Sequence, residues 1–512
     1  MMRDDWIECR LGEVCHTTSG GTPSRKKEQF YNGCIPWVKS GELNYNIIIK
    51  AEEHITEEAI KKSSAKIFPK GSILIALYGA TIGKLAFLGI DAAPNQAVCA
   101  IFKNKIFESN FLFNYLFHKR RNLIEQGTGG AQPNISQTIL KKLILPVAPL
   151  PEQRAIVAKI EELFSSLDNG ISDLNKASAQ LKIYRQAVLK KAFTGELTKE
   201  WRSKQTSLPT ANELLQQIQT ERQNHHQQLL TKWQETVQLW EDGGKEGRKP
   251  MKPRVLKELP PLTEEEIAIL PPLPEVWAHI KPQDIASPEN YSIGIGPFGS
   301  NLKVSDYQDF GVPLIFVRNI TRNNFFLNQK FISQDKYREL TAYSVKPLDI
   351  LITKMGDPPG DCSIYPQHQP NAVITSDCLK FRVWSKYSER LYFKYCIESI
   401  FIKKQLGYIT KGVAQKKISA ERFKTLNFPL CSLPEQLQIV QEIESRLSVC
   451  DNIEQTISAS LEKAEGLRQS ILKKAFAGEL LSATALAACR KEADWQPASE
   501  LLKQIKAAQK DA

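Results

Sequence analysis

The hexapeptide GIGPFG, Gly294–Gly299, satisfies the G-x-G-x-x-G spacing that lets a backbone approach a pyrophosphate at a helix N-terminus. That chemistry needs a hydrophobic strand before the glycines and a helix after them. Here SPENYSI precedes, SNLKVSDY follows and Pro297 interrupts, so the segment reads as a loop. Asp357–Gly360, DPPG, has the outline of the D/N-P-P-Y/F tetrad of amino-methyltransferases, whose aromatic stacks on a flipped base. Gly360 supplies no ring and no glycine-rich cofactor loop precedes it, so this too reads as a loop. The ten cysteines form no C-x-x-C pair and no histidine stands at zinc-ligand spacing from two of them. His225 and His226 lie side by side in a polar helical segment, where solvated rings are the default. With no H-E-x-x-H, G-x-S-x-G or G-x-x-x-x-G-K-[ST] motif, we expect no catalytic residue, no metal and no cofactor in this chain. It reads as a chain built to bind.

What it binds is suggested by charge. Lys and Arg number 68 against 56 acidic residues, a net charge of +12, which favours a polyanion and nucleic acid first. Two polar loops carry suitable side chains. TTSGGTPSRKKEQFY offers Ser24, Arg25, Lys26, Lys27 and Tyr31, and GPFGSNLKVSDY offers Ser300, Asn301 and Lys303. Arg, Lys, Asn and Gln read base edges, while lysines and backbone amides hold phosphates. On residue type, Lys39, Lys84 and Gln132 join the first set, and Arg318, Asn319, Lys354, Gln415 and Lys416 the second.

The elements that must position these loops come in duplicate. LPEQRAIVAKIEELFSSLD begins at Leu150 and LPEQLQIVQEIESRLSVCD at Leu433, 283 residues later. The same offset carries AQPNIS (Ala131–Ser136) onto AQKKIS (Ala414–Ser419), and YRQAVLKKAFTGEL (Tyr184–Leu197) onto LRQSILKKAFAGEL (Leu467–Leu480). The segments ahead match only in pattern: IPWVKSGEL with VPLIFVRNI, and GSILIALYG with LDILITKMG, short strand-like runs closed by polar or glycine residues. The chain is therefore a duplication in which the helices are alike and the globules differ. From Pro151 to Phe193 the apolar residues keep steps of three and four, a seam that wants another helix. Such a rod is about 65 Å long. Two near-identical rods most simply pack antiparallel on each other; the alternative is that each covers its own globule. Between the halves, Pro209 to about Asp242 reads as a further helix, followed by a Gly, Pro and Lys-rich connector whose basic run reads as a solvated linker. The opening MMRDDWIECR is too charged for a secretory signal and GSILIALYGATIG too short for a membrane span, so we expect a cytoplasmic protein with no membrane partner.

In this order, twice over, GGTPS with YNGCIPWVKSGEL, GPFGSNLK, AQPNIS with AQKKIS, the LPEQ helices and LKKAFTGEL with LKKAFAGEL resemble the specificity subunits of type I restriction-modification systems. The resemblance implies an α/β (α+β) chain with two target-recognition domains, each followed by a long helix, the helices pairing as an antiparallel coiled coil. It places the domains at 1–149 and 271–432, the helical spacers at 150–218 and 433–512, and an insert and basic linker at 219–270. Each domain would read half of a split double-stranded DNA target. Two modification subunits, bringing S-adenosylmethionine, and restriction subunits would dock on the chain. Pro151, Glu152, Gln153, Pro434, Glu435, Gln436, Phe193 and Phe476 are the expected docking residues. The competing readings are a specificity protein of another methyltransferase-based anti-phage system, a self-contained methyltransferase, and a coiled-coil scaffold that never touches DNA.

Overall fold

The computed structural model describes residues 5–127, 134–253, 259–356, 359–410 and 417–508. They form two compact units, Met1–Lys176 with Ile457–Ala512, and Ala177–Thr456.

In the first unit a five-stranded sheet has the order Thr17–Ser19, Val98–Ile101, Ile73–Ala76, Leu85–Leu88, Ile47–Ile48. ILIA and VCAI are apolar at every position because both faces of the sheet are covered. Alternation does the sorting. Ile73, Ile75, Cys99 and Ile101 face a cluster that includes Ile156, Val157 and Ile160, while Leu74, Ala76, Val98 and Ala100 face another built on Val38, Leu43 and Phe68. A second sheet of three strands, Glu53–Ile55, Tyr31–Val38 and Ala93–Pro94, carries a parallel pair.

The second unit repeats this plan. Ile293–Ile295, Cys378–Phe381, Ile350–Thr353 and Cys362–Ile364 form one sheet. Lys330–Ile332, Val312–Ile315, Ala372–Ile374 and Ser344–Val345 form the other, again with one parallel pair. The pattern matches read from sequence thus fall on corresponding strands, Tyr31–Val38 with Val312–Ile315 and Ile73–Ala76 with Ile350–Thr353.

Both rods are continuous helices of 44 residues, Leu150–Phe193 and Leu433–Phe476. Each is fixed at its first turn by a buried carboxylate and a buried amide. Trp6 Nε1 donates to Glu152 Oε2 at 2.9 Å, and Trp277 Nε1 to Glu435 Oε2 at 2.9 Å. Gln153 accepts from the Glu108 amide and donates to the Ala148 carbonyl; Gln436 does the same with Glu389 and Cys431. These are six bonds made by residues that sequence reading assigned to docking.

The rods pair antiparallel, and each unit holds half of the contacts. In the first, Arg468 of the second rod grips Asp168 and stacks on Phe164 at 4.6 Å, while Arg154 near the start of the first rod reaches Asp494 beyond the end of the second. In the second, Arg185 binds Asp451 at 2.6 Å and Glu454 at 3.0 Å. Asp168 and Arg185 are the duplicates of Asp451 and Arg468, so one contact is made once in each unit with its partners exchanged. Phe476 ends in the first unit against Phe111 and Tyr115; Phe193 ends in the second against Tyr392. The rods therefore do both tasks: the first part of each covers its own globule, and the last part lies in the unit of the other.

The helix read from Pro209 onward spans Ala211–Asp242, capped by Thr210 and Glu213. No described helix is long and apolar enough to cross a membrane. Of the cysteines, only Cys34 is exposed.

Glu435 also accepts from Thr198 and pairs with Arg202, and its side chain is 1% exposed. Glu435→Ala strands that guanidinium and should cost about 3 kcal/mol, read as a lowered urea midpoint; Glu435→Gln, which can still accept from Trp277, should cost less.

Candidate nucleic-acid interface

The basic loop of the first globule is held by its own aromatics. Gly20 and Gly21 leave strand Thr17–Ser19 so close to the parallel strand pair that a Cβ at Gly20 would sit 2.2 Å from the Pro94 carbonyl. Trp37 Nε1 donates to the Gly21 carbonyl at 3.1 Å, and the Tyr31 hydroxyl to the Pro23 carbonyl at 2.6 Å. The loop then makes one 3-10 turn, Glu28–Phe30, into strand Tyr31–Val38. Arg25 lies over Tyr31 at 4.6 Å and Trp37 at 5.0 Å while Glu53 binds it at 2.7 Å, which raises its pKa and lowers that of Glu53. Lys39 is shared by Glu52 and Glu53, whose hydrogen bonds raise its pKa. Arg25 and Lys39 thus converge on one carboxylate that sequence reading missed; Glu53 comes from a neighbouring strand, and no spacing rule points to it. Ser24, Lys26 and Lys27 are exposed, and neither lysine has a carboxylate partner among the described residues. Lys84 stands apart, donating to Asn44 at 3.0 Å.

The second globule builds the same loop from different residues. A Cβ at Gly296 would lie 2.1 Å from the Thr375 carbonyl, the counterpart of the approach at Gly20. The glycine motif begins inside strand Ile293–Ile295 and leads on to a 3-10 turn, Val304–Asp306, rather than an α-helix, so it lacks the helix N-terminus that a pyrophosphate site needs. Tyr307 meets Phe316 edge-on at 5.9 Å as Tyr31 meets Trp37. Ser300, Asn301 and Lys303 are exposed. Lys354 is nearly buried, donating to the Ser376 carbonyl at 3.0 Å with its ammonium 5.1 Å from the Phe298 ring. Desolvation lowers its pKa, partly offset by Asp377. Arg318 lies 4.0 Å over Phe316 and donates to the Asn328 carbonyl. Phe298 of this loop is exposed at 64%, and Phe310 and Phe326, further along the domain, at 78% and 68%. Rings standing among polar residues were the available sequence signal for them.

Several expected site residues are corrected by burial. Asn319 is fully enclosed, its Oδ1 accepting from the Phe316 amide and its Nδ2 donating to the Asn324 and Leu327 carbonyls, so it shapes the loop from inside. Pro151, Glu152, Gln153, Glu435, Gln436, Phe193 and Phe476 are buried within the chain and offer no surface to a partner; of the docking set, Pro434 alone is exposed. The two LPEQ motifs are internal fixtures. Gln132, Gln415 and Lys416 lie outside the described residues, as do Asp357 and Pro358 of DPPG.

Two domains of related sheet plan, with loops at corresponding places and each with a rod of near-identical sequence, narrow the family considerably. The model of the type I restriction modification DNA specificity domain matches residues 3–177 and again 306–463, more than half of the 512 residues. The chain belongs to this family. It is a non-catalytic DNA specificity subunit, which disposes of the self-contained methyltransferase and the DNA-free scaffold. The specificity chain is similar to the EcoBI specificity subunit of Escherichia coli, 24% identical over 94% of this chain and 87% of that one. It is also similar to the EcoR124I/EcoR124II specificity subunit of Escherichia coli, 31% identical over 32% of this chain; that match spans under half of the relative, 42%. In fold it resembles a solved chain described for complex assembly and conformational transition of the type I R-M system, with a TM-score of 0.62, 17% identity and coverage of 94% of this chain and 100% of that one.

Gly296→Ala forces backbone apart at the Thr375 carbonyl and should cost about 1–3 kcal/mol, seen as a lowered thermal midpoint. Gly299→Ala, where a Cβ meets nothing within 4 Å, should leave the midpoint unchanged.

Proposed function

We propose that the specificity chain reads a bipartite double-stranded DNA target, one part with each globular domain, for a type I restriction-modification complex. The observation that carries this reading is the pairing of one related sheet plan with two loop chemistries. The first loop presents Ser24, Lys26 and Lys27; the second presents Ser300, Asn301 and Lys303 beside the exposed Phe298 ring. Lysines suit phosphates, while Ser and Asn donate and accept at base edges. Arg25 and Lys39 keep the loop in shape, their charge already answered by Glu53. Unlike readers free a duplicated scaffold from palindromic targets.

Methyl transfer belongs, in this reading, to modification subunits that bring S-adenosylmethionine and flip the base. Restriction subunits join that core. The rods carry the docking surface, at positions other than the buried LPEQ residues. Tyr184 and Leu467 are duplicates of each other, exposed at 47% and 52% on otherwise half-buried seams. An apolar side chain offered to water at the same place in both copies suits two modification subunits bound equivalently.

Replacing Met1–Glu125 with the corresponding part of another family member should change one half-site of the methylated sequence and leave the other. Methylome sequencing that finds both halves altered would refute the division of labour. Tyr184→Glu with Leu467→Glu should abolish co-purification of the modification subunits, and either change alone should leave a complex carrying one; full recovery from the double variant would remove this docking surface.

A further inference from the structure

The connector after the inserted helix is not loose chain. At Gly243–Gly247 the backbone reverses, with Gly244, Lys245 and Gly247 at positive φ. It then returns along the helix it has just left. Trp233 Nε1 donates to the Pro250 carbonyl at 3.0 Å. Lys252 lies 5.8 Å over the Trp233 ring and Lys249 lies 5.9 Å over the Trp240 ring. The tryptophans are seven residues apart, two turns, and so share one helix face. The helix itself is moored to the second domain, where Arg222 donates to the Gln283 and Ala286 carbonyls and Glu221 pairs with Lys386.

The returning strip carries four cations, Lys245, Arg248, Lys249 and Lys252, the last two seated on the tryptophan rings. All are exposed, and among the described residues none has a carboxylate within ion-pair distance. The acids of the same stretch do not neutralise them; Asp242 accepts from Gln238 at 2.9 Å, and Glu241 and Glu246 are exposed without ion pairs. A solvated linker has no need of two indoles to fix its course. Fixing lysines in advance reduces the ordering cost of meeting a polyanion.

We propose that this pinned strip is a third DNA contact, a sequence-independent clamp on the phosphate backbone flanking the half-site of the second domain. The proposal rests on the reading of the chain as a DNA-binding subunit. A duplex offers a charge about every 1.7 Å along its axis whatever its sequence, so the strip needs no shaped partner. Three of its four cations are lysines, point charges suited to phosphate rather than to the paired acceptors of a base. The strip adds affinity and leaves the recognition sequence alone.

The test uses the full chain in its complex with the modification subunits, a random-sequence duplex, and a duplex bearing the mapped target. Replacing Lys245, Arg248, Lys249 and Lys252 by alanine should weaken both duplexes alike, roughly tenfold at low salt. It should also make the slope of log affinity against log salt shallower by about 3 to 4. The nuclease footprint should shorten on one flank only, and the methylated sequence should not change. Trp233→Ala with Trp240→Ala, which keeps all four cations but releases them, should weaken binding by a smaller factor. Wild-type binding with an unchanged slope in the quadruple variant would overturn the clamp and leave the two-domain reading intact. An unchanged slope with loss of a subunit from the complex would overturn it in favour of an acidic protein partner. If the wild-type complex itself fails to bind DNA, the broader reading falls with it.

Discussion

A single helix carrying Ile160, Leu163, Leu167, Ile171 and Leu174 along one side would leave much of that side in water, and a globule about as large as either domain here covers only its first turns. Ile156, Val157 and Ile160 are buried on the first domain, but Leu163, Leu167, Ile171 and Leu174 are only half-buried and share a groove with Ala464, Leu467 and Ile471 of the second rod. That requirement for mutual cover fixes the antiparallel sense, because only then do Asp168 with Arg468 and Asp451 with Arg185 both close. It also goes with Phe193 belonging to the second unit and Phe476 to the first. The boundaries of the folded units therefore cut through the rods rather than between sequence blocks.

Buried polar groups tie the first turn of each rod to its own domain. An ionised carboxylate in an apolar site is expensive unless fully bonded. Glu435 meets that condition with Thr198, Arg202 and Trp277, which tie the rod start, the segment after the other rod and the domain entrance to one point. The two domains can then differ in their loops without disturbing the frame, since the loops hang on separate glycine approaches at Gly20 and Gly296.

Much of this was legible in the sequence, and the parts that were not share a cause. The duplication, both rods and the inserted helix follow from periodicity and identity, which survive because each rod must fit the other. The kinship of the domains was faint, since a strand order can persist while only apolar alternation is kept: GSILIALYG and LDILITKMG share a role and little else. Glu152, Gln153, Glu435 and Gln436 read as surface because charged and amide residues in a first turn usually are. Their burial depends on Trp6 and Trp277, far away in sequence. Glu53 was invisible for the same reason, since a neutralising partner is recognised only when a neighbouring strand is placed.

The distribution of thiols has a practical side. Cys9, Cys15 and Cys99 are pushed up to about 12 by burial, and the remaining enclosed cysteines are likewise shielded from solvent, leaving Cys34 on strand Tyr31–Val38 as the accessible sulfur. A maleimide dye would therefore mark the first reader and leave the second dark. Nature has supplied an orthogonal handle, three residues from Tyr31, through which fluorescence can follow the first domain alone.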